Sequence, residues 1–295
     1  MIGSRLQLNF ANAAAGITGE INLFRALIAS FNALGEDALA HEYHGNKHQV
    51  IFNAMRGAGR PIPRCELCDV MIIQYSAGNA NTARVTFNQV KVTNNVLGCS
   101  RPNTAAAPES FSANLEQWDL LSNRPAIRAA TTAYDPPSDL LSAALLPSVG
   151  TFGVFYPSGT GFDFAYYIAS DLAPLTNNPG KSGTLQWQTS QQIITHPTGH
   201  DEITGTCCLW TFGEALDYGL IGTPIWPLLY NTNGDQRMRA WLKEVLSDLR
   251  IKNPESSLPD ELLSGLELKN ARDDREPFSP NTPPSMPRAV ILLRT

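Results

Sequence analysis

Between Gly16 and Leu34 the apolar residues Ile17, Ile21, Phe24, Leu27, Ile28 and Phe31 recur at helical spacing, which predicts one amphipathic helix. Thr18 or Asn12 is suited to cap its start and Gly35 to end it. The period then changes. Val50, Ile51 and Phe52 mark a strand within 48–55, closed by the turn-rich Arg56-Gly57-Ala58-Gly59-Arg60-Pro61. Cys65 to Tyr75, with Val70-Met71-Ile72-Ile73, is nearly all apolar, as in a central strand buried on both faces. After a turn at 78–81, the alternation over 83–92 predicts a third strand.

A polar, proline-containing connection at 94–108 leads to a short helix over 112–122 that carries Leu115, Trp118, Leu120 and Leu121. Aromatic-rich strands are expected at 151–156 and 162–169, and helices at 202–220 and 236–249. The last of these puts Met238, Trp241, Leu242, Val245 and Leu249 on one face. From 252 to 287 Pro, Ser, Asp and Glu dominate, the composition of a linker or loosely packed arm. Residues 289–293 then return as a final strand. No internal repeat interrupts this order.

Of the 295 residues, 43% are hydrophobic and 17% charged, the balance of a folded chain with mass for one or two domains. There is no run of about 18 apolar residues to span a bilayer, and residues 1–10 lack the basic-then-apolar build of a signal peptide. A cytoplasmic protein without a membrane partner is expected. The five cysteines, Cys65, Cys68, Cys99, Cys207 and Cys208, are odd in number in a chain too large to need staples, so they are expected to be reduced. A zinc site built from Cys65/Cys68 and Cys207/Cys208 is disfavoured, because adjacent cysteines rarely aim both sulfurs at one metal. Cys65 and Cys68 read better as small buried residues on a strand. The net charge of −5 argues against an extended nonspecific DNA surface. Residues 1–130, however, hold 11 Lys and Arg against 9 Asp and Glu, whereas 131–295 hold 11 against 18, so any nucleic-acid contact is expected in the first half.

That half also contains the parts that metal-dependent phosphodiester hydrolysis needs: carboxylates to hold Mg²⁺, a group to orient water, and a cation near the developing charge. Asp69 opens the apolar strand that anchors it. Gln89 and Lys91, two residues apart on the next strand, point to one face, the first offering an oxygen ligand and the second a charge beside the phosphate. Glu20 falls on the helix face shared with Phe24, Leu27 and Phe31, where a carboxylate is costly without a partner such as a metal. Glu66 competes with Asp69 for the metal, but along a continuous strand the two would face opposite sides.

Taken together, Glu20 on the helix, Arg64-Cys65-Glu66-Leu67-Cys68-Asp69 on the second strand and Phe87-Asn88-Gln89-Val90-Lys91 on the third resemble the PD-(D/E)xK nuclease superfamily. In particular they look like its E…D…QxK variant, found in branches similar to Mrr restriction enzymes and Holliday-junction-resolvase-like nucleases. The pattern departs in two places: Pro63 stands six residues before Asp69 instead of beside it, and Gln89 replaces the usual acid, which removes one negative charge. The resemblance covers about residues 15–125.

It implies an α/β protein with a restriction-endonuclease-like core (αβββαβ, mixed central sheet flanked by helices) in residues 1–130. An α+β region at 131–250 would complete or flank it, and a Pro-rich acidic arm with a terminal strand would fill 251–295. The implied activity is a Mg²⁺- or Mn²⁺-dependent endodeoxyribonuclease with Glu20, Asp69 and Gln89 on the metal and Lys91 assisting water attack, in a restriction or anti-phage setting. Arg56, Arg60, Arg64 and Arg84, and Gln117 on the following helix, are the expected DNA contacts. A homodimer or a partner protein would supply targeting or activation. The alternative is a nuclease-like scaffold that has lost its chemistry, and RNA is a third possible substrate class.

Other clusters read more plainly. His41-Glu42-Tyr43-His44 with His48 falls in a polar connection, and Trp118 reads as core. His196, His200, Asp201 and Glu202 offer ligand types but sit in a Pro/Gly loop. No P-loop, GxGxxG after a strand, or GxSxG is present, which excludes readings as an ATPase, a dehydrogenase or a serine hydrolase.

Overall fold

The structure, a computed structural model, describes residues 1–43, 49–56, 62–94, 110–131, 135–159, 161–176, 180–230, 236–269 and 287–295. Arg60, His44, His48, Cys99, the turn at 57–61, the connection at 95–108 and the arm at 270–286 lie outside the described residues.

The first elements are helices α1 (Ile2–Ala13) and α2 (Glu20–Asn32), then strands β1 (Ala38–Glu42), β2 (Gln49–Phe52), β3 (Arg64–Glu66), β4 (Val70–Ser76), β5 (Asn79–Val92) and β6 (Ser110–Asn114). Helix α3 (Leu115–Asn123) precedes β7 (Ile127–Ala129), β8 (Gly150–Ser158), β9 (Gly161–Ile168), β10 (Leu172–Pro174), β11 (Ser182–Trp187), β12 (Ile193–Thr195), β13 (Asp201–Ile203) and β14 (Gly205–Thr206). The chain ends with α4 (Leu209–Asp217), β15 (Thr223–Pro224), α5 (Ile225–Tyr230), α6 (Gln236–Lys252), α7 (Leu258–Gly265) and β16 (Ala289–Arg294).

The molecule is a mixed α/β protein built on an eight-stranded mixed sheet of order β1-β16-β4-β5-β8-β9-β14, with β15 beside β5. A two-residue turn joins β4 and β5, and its Gly78 has φ +72°, a conformation that glycine enters without Cβ strain. β8 runs parallel to β5 after the crossover that contains α3. The sheet separates two cores, and alternation along one strand feeds both: Val70 and Ile72 of β4 face α1, α2 and α4, while Met71 and Ile73 face the layer of α3, α5, α6 and α7.

Several expectations change. The strand at 49–52 is not in the central sheet but in a small one of order β3-β2-β7. The apolar run at 65–75 is two strands, broken at residues 67–69, because its two ends pair in different sheets. The helix expected at 202–220 starts only at Leu209, since the backbone groups of 201–206 are spent on β13 and β14. The stretch read as an arm contains α7, with Leu258, Leu262 and Leu263 in the core. Helix α1 was not anticipated; it packs by close approach of Gly3 to Gly213 on α4. His41 and Glu42 belong to β1, with His41 against the buried Tyr43 ring at 4.9 Å. Cys65 and Cys68 are buried free thiols in the core. Cys207 is disulfide-bonded, contrary to the expectation of reduced cysteines throughout.

Among the described residues no helix is long and apolar enough to cross a membrane.

Candidate functional site

The break between β3 and β4 leaves Asp69 one residue outside the β4–β5 ladder. Its N–H donates to the Asn88 carbonyl (3.0 Å), and its Oδ2 accepts the Val90 N–H at 2.8 Å. Asp69 therefore stands opposite Gln89, extending the Val70–Asn88 pairing by one step. Lys91, two residues on, directs Nζ to the Val90 carbonyl (2.8 Å) and lies 3.8 Å from Glu20 Oε1. The fold thus gathers Glu20, Asp69, Gln89 and Lys91 at one end of the sheet.

Glu20 is not on the packed face of its helix. It is the first residue of α2, its side chain is 43% exposed, and no side chain caps that end. Its carboxylate is held by Lys91 and by the positive end of the helix dipole. Burial still raises its pKa, with Lys91 opposing and Asp69 reinforcing the shift. Gln89 is fully buried, and its Nε2 reaches the Glu66 carbonyl at 3.4 Å. Its Oε1 has no hydrogen-bond partner, a costly state for a buried acceptor.

Two further residues enter the site. Arg288, just before β16, places its guanidinium 3.2 Å from Asp69 Oδ1 and 5.7 Å from the Phe24 ring centroid. Glu66 ends β3; burial and then nearby Asp69 raise its pKa, so it shares the neighbourhood of Asp69 rather than an opposite face. The argument from period two failed because Leu67 and Cys68 interrupt the strand. Arg288 carries no local signal, since 219 positions separate it from its partner.

The remaining predicted residues do not join this group uniformly. Arg56 donates to the Gly180 carbonyl and Arg64 to Gln49 Oε1 on the small sheet. Gln117 is buried in α3, while Trp118 packs on the core and donates to the Ala169 and Leu172 carbonyls. Arg84 pairs with Gln74, four positions along β5 from the Asn88 pairing and toward the opposite end of the sheet.

The groups able to hold a divalent cation are oxygen donors: the Asp69 and Glu20 carboxylates and the orphaned Gln89 Oε1, the kind of set that suits Mg²⁺ or Mn²⁺. Two cations, Lys91 and Arg288, now sit against those acids. Among the described residues no group of three or more His, Cys, Asp or Glu is arranged to hold a metal.

The second histidine-acid cluster forms a β12–β13 hairpin. Glu202 is buried, accepts the Ser148 N–H (3.0 Å), and pairs with His196 Nε2 at 2.6 Å. Its charge bears on Asp171, whose pKa is raised to about 6, first by burial and then by Glu202. Well below the ordinary carboxyl value of about 4, Asp171 is protonated in both states and contributes nothing. Stability falls as pH rises from about 4 to about 6, where the unfolded chain is already ionised while the native carboxyl still holds its proton, and the full penalty stands above about 6. Asp171→Asn is expected to stabilise by about 1–2 kcal/mol at pH 7.5, discounted for partial exposure, and to be close to neutral at about pH 3. Denaturant titrations at both pH values check this.

No protein-family model, curated protein or solved structure matches this chain.

Proposed function

We propose that the chain is a metal-dependent nuclease acting on DNA, with a restriction-endonuclease-like core formed by α2, β4, β5, α3 and β8. The observation that carries this reading is the convergence of Asp69, the orphaned Gln89 Oε1, Lys91 and Glu20 where β4 and β5 meet. The antiparallel β4–β5 hairpin and the α3 crossover to parallel β8 support it, being the last part of the αβββαβ order the resemblance implies, whereas the strand expected within 48–55 lies in the small sheet.

In this reading Asp69, Glu20 and Gln89 Oε1 hold Mg²⁺ or Mn²⁺. A bound cation polarises a phosphoryl oxygen and lowers the pKa of water. Asp69 is locked by the Val90 N–H, so its remaining oxygen is oriented before ligand arrives. Lys91, freed from Glu20, places its ammonium beside the phosphate and orients the attacking water. Arg288 leaves Asp69 for a phosphate oxygen, a partner its fork geometry suits. Because the guanidinium competes for Asp69, Arg288→Gln is expected to tighten Mn²⁺ binding several-fold by calorimetry; unchanged or weaker binding removes Arg288 as a competitor.

The test is cleavage of plasmid DNA, single-stranded DNA and RNA by the full chain with Mg²⁺, Mn²⁺ or EDTA. Metal-dependent nicking of DNA supports the reading, and preferential RNA cleavage changes its substrate. A second reading, a nuclease-like scaffold without chemistry, is favoured by one observation: Lys91 and Arg288 already neutralise the two acids. Saturable Mn²⁺ binding argues against the scaffold, and its absence together with absent cleavage argues for it.

A further inference from the structure

A cavity of about 370 Å³ opens at the end of β4 and β5 away from Asp69, walled by Gln74, Arg84, His200, Asp217, Tyr218 and Thr295 among others. That volume is in the range of small-molecule sites. Gln74 and Arg84 are direct cross-strand partners, so both side chains leave the same face of the sheet.

Both are more than nine-tenths buried or close to it, at 3% and 9% exposure, and neither is fully used. Arg84 Nη1 donates to the Asp201 carbonyl (2.7 Å) and the Gly222 carbonyl (3.3 Å), and the guanidinium has no carboxylate partner among the described residues. Burial lowers its pKa, while the charges of Glu202 and Asp201 oppose that shift without either carboxylate standing within ion-pair distance among the described residues. Gln74 Nε2 is spent on the Ile221 carbonyl at 2.7 Å, while its Oε1 is buried with no partner. The cavity is therefore lined by a residue with cationic donors and, directly across the strand pair, by one whose buried acceptor is unsatisfied. Asp217, which accepts the Ile2 N–H through Oδ2, adds negative charge to the same wall.

We infer that this cavity binds a small zwitterion, its carboxylate or phosphate on the Arg84 guanidinium and its amino group on Gln74 Oε1, with Asp217 facing the amino end. A plain anion would satisfy Arg84 and leave Gln74 orphaned beside Asp217. A plain amine would leave Arg84 with carbonyl contacts alone. An α-amino acid and an aminoalkyl phosphate share the needed chemistry. Nothing in this inference depends on the nuclease site at the other end of the strands.

The experiment is calorimetric titration of the full chain with the common amino acids one at a time and with phosphoethanolamine, beside acetate and inorganic phosphate. One zwitterion should bind saturably and at least about tenfold more tightly than the plain anions. Binding of an amino acid identifies the carboxylate class, and binding of phosphoethanolamine the phosphate class. Arg84→Gln should weaken that binding at least about tenfold. Because this variant removes donors from two carbonyls and can fail to fold, a crystal of the wild type soaked with the binder is the second reading. The anionic head should lie within hydrogen-bond distance of the Arg84 guanidinium. No saturable zwitterion binding up to about 10 mM, binding unchanged in Arg84→Gln, or a ligand seated elsewhere in the soak overturns the inference.

Discussion

Lys91→Ala is expected to lower metal-dependent DNA cleavage about 10²- to 10³-fold while leaving Mn²⁺ affinity within a few-fold of the wild type. The split follows from the chemistry of the side chain. An ammonium donates and cannot ligate a cation, and among the described residues Lys91 is bonded to the Val90 carbonyl and stands beside Glu20. Its loss removes charge from the phosphate without removing a metal ligand. Asp69→Asn should behave differently, losing both cleavage and Mn²⁺ binding. Asn preserves an acceptor for the Val90 N–H, whereas Ala would leave that buried donor unpaired and confuse folding with chemistry. Plasmid nicking and calorimetry on the two variants, each checked by circular dichroism, separate the roles. Full activity in Lys91→Ala would take that residue out of the reaction, and lost metal binding would make it a positioning residue for Glu20.

The second large effect is on stability. Ile291→Ala is expected to cost about 2–5 kcal/mol, measured as the drop in unfolding free energy in urea. Ile291 is fully buried in β16, which is parallel to β4 on one side and antiparallel to β1 on the other. Its neighbours Val290 and Leu292 enter the opposite core, so the strand has no solvent face to absorb a cavity by relaxation. A cost below about 1 kcal/mol would mean that β16 is an accessory edge and not the centre of the sheet. A substitution at Ile193, an exposed residue on the peripheral hairpin, is the matched control.

What the sequence made legible follows the range of the interactions. Helix α2, hairpin β4–β5 and the pair β8–β9 rest on local periodicity and short turns, and each lies within a few residues of its expected place. So do Asp69, Gln89 and Lys91, because a two-residue hairpin brings them together whatever the rest of the chain does. Long-range pairing was not legible. Apolar character in 65–75 is shared by two strands in two sheets, and no periodicity distinguishes that from one long strand. Helical spacing alone puts the Glu20 carboxylate on the buried face, but a first-turn residue has no preceding turn to shield it. Arg288 reaches Asp69 only because β16 inserts beside β4, a fact of topology without any trace in local composition. Local pattern makes Gln74 a strand residue and Arg84 a charge for DNA; their joint cavity depends on α4 and the residues after it.

The insertion of β16 between β1 and β4 also has a kinetic side. Until residues 289–294 are made and docked, β1 and β4 have no common neighbour, and each presents an open hydrogen-bonding edge. The central sheet therefore closes through contacts more than 200 positions apart in the chain, which places folding in the slow, high-contact-order class and leaves a nascent chain open to mispairing. Arg288 arrives with the same strand. Its ion pair with Asp69 therefore requires that strand to be docked beside β4, so the charge balance at the β4–β5 junction depends on closure of the sheet.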